Sequence, residues 1–156
     1  HPAAVGARLP RDQKGGGASS EKNMELYQLN NNMRLSTHAT ANFMRREMAT
    51  ALRKGPYQTN ILLGGVDESA GASLHFIDMY ASCHKVKFGV HGHASNFLLS
   101  VFDRMYEEDL SEEQALAIVE KCIAELHTRF LISQPNFVIK VVDAKGVRVI
   151  RSPPSL

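Results

Sequence analysis

The side chains able to do chemistry crowd into CHKVKFGVHGHAS, residues 83–95, where a cysteine, three histidines and a serine surround two glycines. Cys83, His84, His91 and His93 are thiol and imidazole donors of the kind that bind zinc. Their spacing does not make a set. In an extended stretch, Cys83 and His84 point to opposite faces, and His91 and His93 flank Gly92 without a further cysteine or carboxylate at a ligand spacing. The run is also a junction. Val86, Phe88 and Val90 alternate with Lys85, Lys87 and Gly89, which is the period of a half-buried strand. After Gly92 the apolar residues Ala94, Phe97, Leu98, Val101, Phe102 and Met105 recur every three or four positions, which is the period of a helix. A glycine between strand and helix supplies a positive φ or a close backbone approach, and the helix start presents free N–H groups. In an enzyme such a corner holds an oxyanion or a phosphate, whereas elsewhere it is only a turn. The sequence has no GxSxG nucleophile elbow and no GxxxxGK phosphate loop. Asp78 and Asp103 are single carboxylates, each read as a cap or a surface ion pair.

The elements that would position this junction follow from pattern. Ser36 or Thr37 can cap a helix over 37–54 whose apolar side chains are Ala39, Phe43, Met44, Met48, Ala51 and Leu52, ended by Gly55 and Pro56. Arg45, Arg46, Arg53 and Lys54 on its other face read as solvated helix charge. The runs at 58–66 and 73–79, separated by the turn formers Asp67, Ser69 and Gly71, make a hairpin, and a further strand is expected at 86–91. Helices are expected at 94–106 and 111–131. The second opens with Ser111, Glu112, Glu113 and Gln114, a capping box, and carries the stripe Ala115, Ile118, Val119, Cys122, Ile123, Leu126 and Phe130. Strands at 136–142 and 146–150 close a hairpin with Gly146 in the left-handed position. Glu21–Gln28 reads as the tail of a helix stopped by Asn30, Asn31 and Asn32. Strands segregated from helices give an α+β fold.

Composition bounds the function. A chain of 156 residues, 44% hydrophobic, is long enough for one domain with a core. Its 18 basic and 16 acidic residues are interspersed, so there is no electrostatic footprint for nucleic acid. No apolar run approaches the ~20 residues needed to cross a membrane. The two isolated cysteines, Cys83 and Cys122, suit a reducing compartment better than a disulfide scaffold. Residues 1–20, HPAAVGARLPRDQKGGGASS, carry no apolar periodicity and are expected to be disordered, and a first residue other than Met suggests a processed or incomplete start.

Three stretches, ATANFMRREMATALRKGPYQTNILLGGVDESAG, LHFIDMYASCHKVKFGVHGHASNFLLSVFDRMY and EEQALAIVEKCIAELHTRFLISQPNFVIKVVDAKGV, together resemble the later two thirds of a proteasome beta subunit, and among those the inactive members of the ring. The resemblance runs from about Glu21 to Ile150, leaving 1–20 as a non-family segment and 151–156 as a tail. It implies a four-layer α-β-β-α sandwich of the N-terminal nucleophile class. It also implies partners: the other alpha and beta subunits of a 28-subunit core particle working in protein degradation in cytoplasm and nucleus, with no cofactor, metal, nucleic acid or membrane.

The same resemblance speaks to activity. Active family members have an N-terminal threonine, an Asp and a Lys early in the chain, a Gly-Ser-Gly-Ser turn, and an Asp followed three residues later by Ser. Here the chain starts with His1, the serine of the turn aligns with His91, the Asp aligns with Phe130, and its partner is kept as Ser133. A phenylalanine neither accepts a proton nor orients an amine, so no peptide cleavage is expected and no residue is assigned a catalytic role. The family's first strands have no counterpart, so the sandwich reads as incomplete and its isolated form as aggregated or molten. Two other readings stand beside this one: a threonine endopeptidase whose active portion lies outside this sequence, and a free-standing binding module using the histidine-rich turn.

Overall fold

Ser36 opens the first helix, α1 (Thr37–Ala51), in extended geometry, with its hydroxyl accepting from the Ala39 N–H at 3.1 Å. The computed structural model describes residues 4–8 by their backbone, together with residues 22, 26–27, 30, 35–129 and 136–152. α1 ends where the Gly55 N–H folds back on the Ala51 carbonyl. Its buried side is Thr37, Ala41, Met44 and Met48, while Leu52, placed on the apolar face by periodicity, is exposed. Arg45, Arg46, Arg53 and Lys54 are all exposed, as solvated helix charge should be.

α1 lies on a three-stranded antiparallel sheet, β2 (Ile61–Asp67), β3 (Gly71–Ile77) and β4 (Cys83–Val86), in the order β2-β3-β4. The β2–β3 hairpin closes with Asp67 opposite Gly71, which takes φ +70°. Met44, Met48, Ile77 and Ala81 form the buried cluster between helix and sheet, joined by Tyr57, Ile61, Leu63 and Cys83. After β3, the Asp78 carboxylate accepts from the N–H groups of Tyr80 and Ser82, both at 2.9 Å, so this carboxylate is a turn cap.

The strand expected at 86–91 is displaced. The paired residues are Cys83–Val86, and the alternating Phe88 and Val90 lie past the end of the strand. Tertiary packing outweighs the period-two signal here. Phe88 stacks on Phe102 at 5.3 Å and tilts against Tyr106, drawing the chain toward the next helix. A Cβ at Gly89 would stand 2.7 Å from the Leu62 side chain.

α2 (Ser95–Met105) and α3 (Glu112–Arg129) pack through Leu98, Val101, Ile118 and Cys122. The capping box forms as its residues dictate, with Ser111 N–H to Gln114 Oε1 at 2.8 Å and Gln114 N–H to Ser111 Oγ at 3.2 Å. The other side of α3 carries Val119 and Ile123 onto Phe137 and Ile139. Ile139 belongs to β5 (Val138–Asp143), which turns through Gly146 at φ +118° into β6 (Gly146–Arg151). Arg148 and Arg151 of β6 reach Glu112 and Glu120 of α3, each at 2.7 Å.

One expectation is overturned at the start of the chain. Residues 1–20 read as disordered, yet Ala4–Arg8 forms β1 and pairs antiparallel with β5, from Ala4 opposite Val142 to Arg8 opposite Val138. Ala-Val-Gly-Ala-Arg has no alternating apolar pattern to mark it as a strand, and the long-range ladder supplies its order. The second sheet is therefore β1-β5-β6, and β1 and β5 lie against β2 of the first sheet. Asn30 is still helical, so the asparagine triplet does not stop a helix at its first residue. The architecture is α+β, with three helices and two sheets among the described elements.

Candidate functional site

The strand–glycine–helix junction lines a cleft of about 350 Å³, formed by Asn60, Phe76, Val90, His91, Gly92, His93 and Ser95. Gly92 takes φ +95°, and a Cβ there would meet nothing within 4 Å, so the left-handed backbone rather than a close approach is what calls for glycine. α2 begins at this corner with no side-chain cap and no acidic residue in its first turn, and the Ser95 N–H bonds to the Gly92 carbonyl at 3.1 Å.

His91 is half-buried and packs on Phe76 with ring centroids 4.3 Å apart. Among the described residues its enclosed Nε2 has no hydrogen-bond partner. His93 is exposed at the rim. Of the four donors singled out for zinc, His91 and His93 line the cleft, while Cys83 and His84 sit on β4, where His84 Nε2 is 2.8 Å from Ser82 Oγ. Among the described residues, no three histidine, cysteine or carboxylate side chains come together as a metal site. Phe130 and Ser133 lie outside the described residues. Asn60 and Phe76 were missed by sequence reading. Each comes from the first sheet and its approach, so only the fold brings it to the junction.

A second pair of histidines also escaped notice. His75 on β3 is 3% exposed, and its ring lies 5.6 Å from that of His38 on α1. Among the described residues its Nδ1 has no hydrogen-bond partner. Burial pushes its pKa below the ordinary histidine value, and His38 and Lys85 push the same way, with Asp67 opposing. Asp67 itself ties the sheet to α1, because its two carboxylate oxygens accept from the Thr37 N–H at 2.9 and 3.1 Å. Gly65 makes room for this join: a Cβ there would sit 2.3 Å from Thr37 Oγ1.

The proteasome subunit family model matches residues 19–142. This chain belongs to the proteasome subunit family. Among its proteasome relatives are proteasome subunit beta type-2-B of Arabidopsis thaliana, 54% identical over 128 residues, and proteasome subunit beta type-2 of Oryza sativa subsp. japonica, 51% identical over 128 residues. Those matches take in 82% of this chain but 64% and 60% of the two relatives. A beta type-2 subunit of Dictyostelium discoideum is 43% identical over 132 residues, covering 83% of this chain and 66% of that protein. The chain thus spans a little under two thirds of the length of these three relatives. β1 lies ahead of the family match, and β6 lies beyond its end.

Proposed function

We propose that this chain serves as a non-catalytic, structural beta subunit of the 20S proteasome core particle. In this reading it presents shape-complementary surfaces to neighbouring alpha and beta subunits of a 28-subunit assembly, in cytoplasm and nucleus, for ATP- and ubiquitin-dependent protein degradation. The observation that carries it is His91. The position where active family members resemble one another in a serine holds an imidazole packed on Phe76, with its Nε2 enclosed and unpartnered. A ring packed in this way stands where the aligned serine hydroxyl would be, so that hydroxyl is not available to the chemistry. Phe130 at the aligned acid position adds to the reading.

The packing supports a four-layer α-β-β-α sandwich. α1 covers the β2-β3-β4 sheet, α3 covers β1 and β5, and β1 and β5 meet β2 between them. A threonine-type endopeptidase subunit is the second reading, because the match reaches only 64% of the first relative's length and leaves room in such a protein for a nucleophile outside this sequence.

The test is co-expression with the other subunits followed by native purification. Incorporation into a core particle, with the chain itself unlabelled by an inhibitor directed at N-terminal threonines, supports the structural role. Labelling of this chain, or turnover of a fluorogenic peptide by the chain alone, establishes the endopeptidase.

A further inference from the structure

We infer that the flank of β5 opposite β6 is a strand-acceptor slot for an extended peptide of small residues, and that Ala4–Arg8 is its detachable in-chain occupant. β5 is paired on one side by β6 and on the other by β1, through five residue pairs running from Ala4–Val142 to Arg8–Val138. β1 is bounded by more than a ladder. α3 packs against it on one side, and β2 and β3 approach it on another, so it lies in a slot walled by three elements. The strand reads Ala-Val-Gly-Ala-Arg, so its first four residues are small, as a strand laid between three elements favours.

The segment is separable from the body in sequence. It precedes the family match, which begins at residue 19, and residues 9–36 intervene before α1. Recognition by strand addition rests on main-chain hydrogen bonds, which any peptide of suitable bulk can make, so the slot should take the same sequence when it is supplied as a separate molecule. While β1 is in place it also closes the β5 edge to strands of other chains. The inference stands whether or not the chain works as a ring subunit.

The test uses the full-length chain and its Val5→Pro and Gly6→Pro variants. Neighbouring residues of an antiparallel strand send their N–H groups alternately toward and away from the partner, so one of the two substitutions removes a ladder hydrogen bond. Amide hydrogen exchange is read residue by residue. The expected result is exchange at least tenfold faster at the β5 amides that face β1 in one or both variants, with β2 and β3 amides unchanged. A synthetic peptide of residues 1–10, supplied at about millimolar concentration to match the effective concentration of a tether, then restores protection where the same peptide carrying Val5→Pro and Gly6→Pro, which lacks the backbone donors, does not. Unchanged β5 exchange in both variants overturns the inference. So does parallel loss of protection across β2 and β3, which would make β1 an inseparable part of the fold, and so does failure of the peptide to restore the β5 amides.

Discussion

His75 is a side chain through which acid should lower stability. Its pKa is held below the ordinary value of 6.5, chiefly by burial, so the folded chain keeps the ring neutral at pH values where the unfolded chain has begun to protonate it. The unfolded state therefore binds more protons below about pH 6.5, and stability that is fully present above that value is lost as pH falls toward the folded pKa. Denaturant midpoints measured from pH 7.5 to 5 should fall, and His75→Gln should flatten that slope. An unchanged slope in the variant would remove His75 as its source. The two cysteines give a second residue-level contrast. Burial, with a smaller push from Glu125, raises the Cys122 thiol to about 11, whereas Cys83 is only half-buried. At pH 8 roughly one Cys122 in a thousand is thiolate. Iodoacetamide followed by mass spectrometry should label Cys83 well before Cys122, and equal labelling would show that the α2–α3 interface opens readily.

At the scale of elements, the join between α1 and its sheet rests on Asp67. The end of a β-strand caps a helix thirty residues earlier, since both Asp67 oxygens accept from the Thr37 N–H. Ser36 supplies the ordinary local cap at Ala39. Removing the long-range cap leaves the Thr37 N–H, on a residue only 8% exposed, without its acceptor. Asp67→Ala should therefore cost about 1–2 kcal/mol. Ser36→Ala, at a cap exposed to water, should cost less. Urea unfolding of the two variants compares them directly, and a smaller loss in Asp67→Ala than in Ser36→Ala would show that the local cap carries more weight. The ion pairs between α3 and β6 belong to the same scale but carry less weight. Arg148 and Arg151 are more than two-fifths exposed, and pairs so open to solvent add little stability.

For the whole molecule, the expectation of an aggregated or molten chain drawn from missing strands meets a strand the sequence did not announce. With β1 on its flank, β5 is paired on both sides and its Ile139 and Val141 are fully buried. Exposed apolar side chains cluster instead on β6, where Val147, Val149 and Ile150 are 62%, 56% and 44% exposed. Among the described strands the outer edge of β6 has no partner, and such an edge with apolar side chains favours association between copies. The isolated chain should unfold cooperatively and associate with rising concentration, and Val147→Thr with Val149→Thr should shift it toward monomer in light scattering. A monomer at all concentrations would show that the β6 edge is protected. A broad, non-cooperative melt would restore the first expectation.

What the sequence determined by itself is local chemistry and period. Ser36, the Ser111–Gln114 box, Asp78 as a cap, and the left-handed Gly92 and Gly146 follow from backbone needs met within a few residues. The helical stripes are legible for the same reason, since a 3.6-residue period repeated over three or four turns outweighs local noise. The junction at Gly92 could be read as a site from residues 86–106, but Asn60 and Phe76, which complete its cleft, arrive from another sheet and leave no mark near it. Tertiary structure alone decided three things. It ended β4 at Val86, because Phe88 finds Phe102 and Tyr106 rather than a partner strand. It placed His75 beside His38, two residues far apart in the chain that meet only when α1 lies on the sheet. It made a strand of Ala4–Arg8, whose small residues carry no periodic signal and whose order comes from the β5 edge it pairs with.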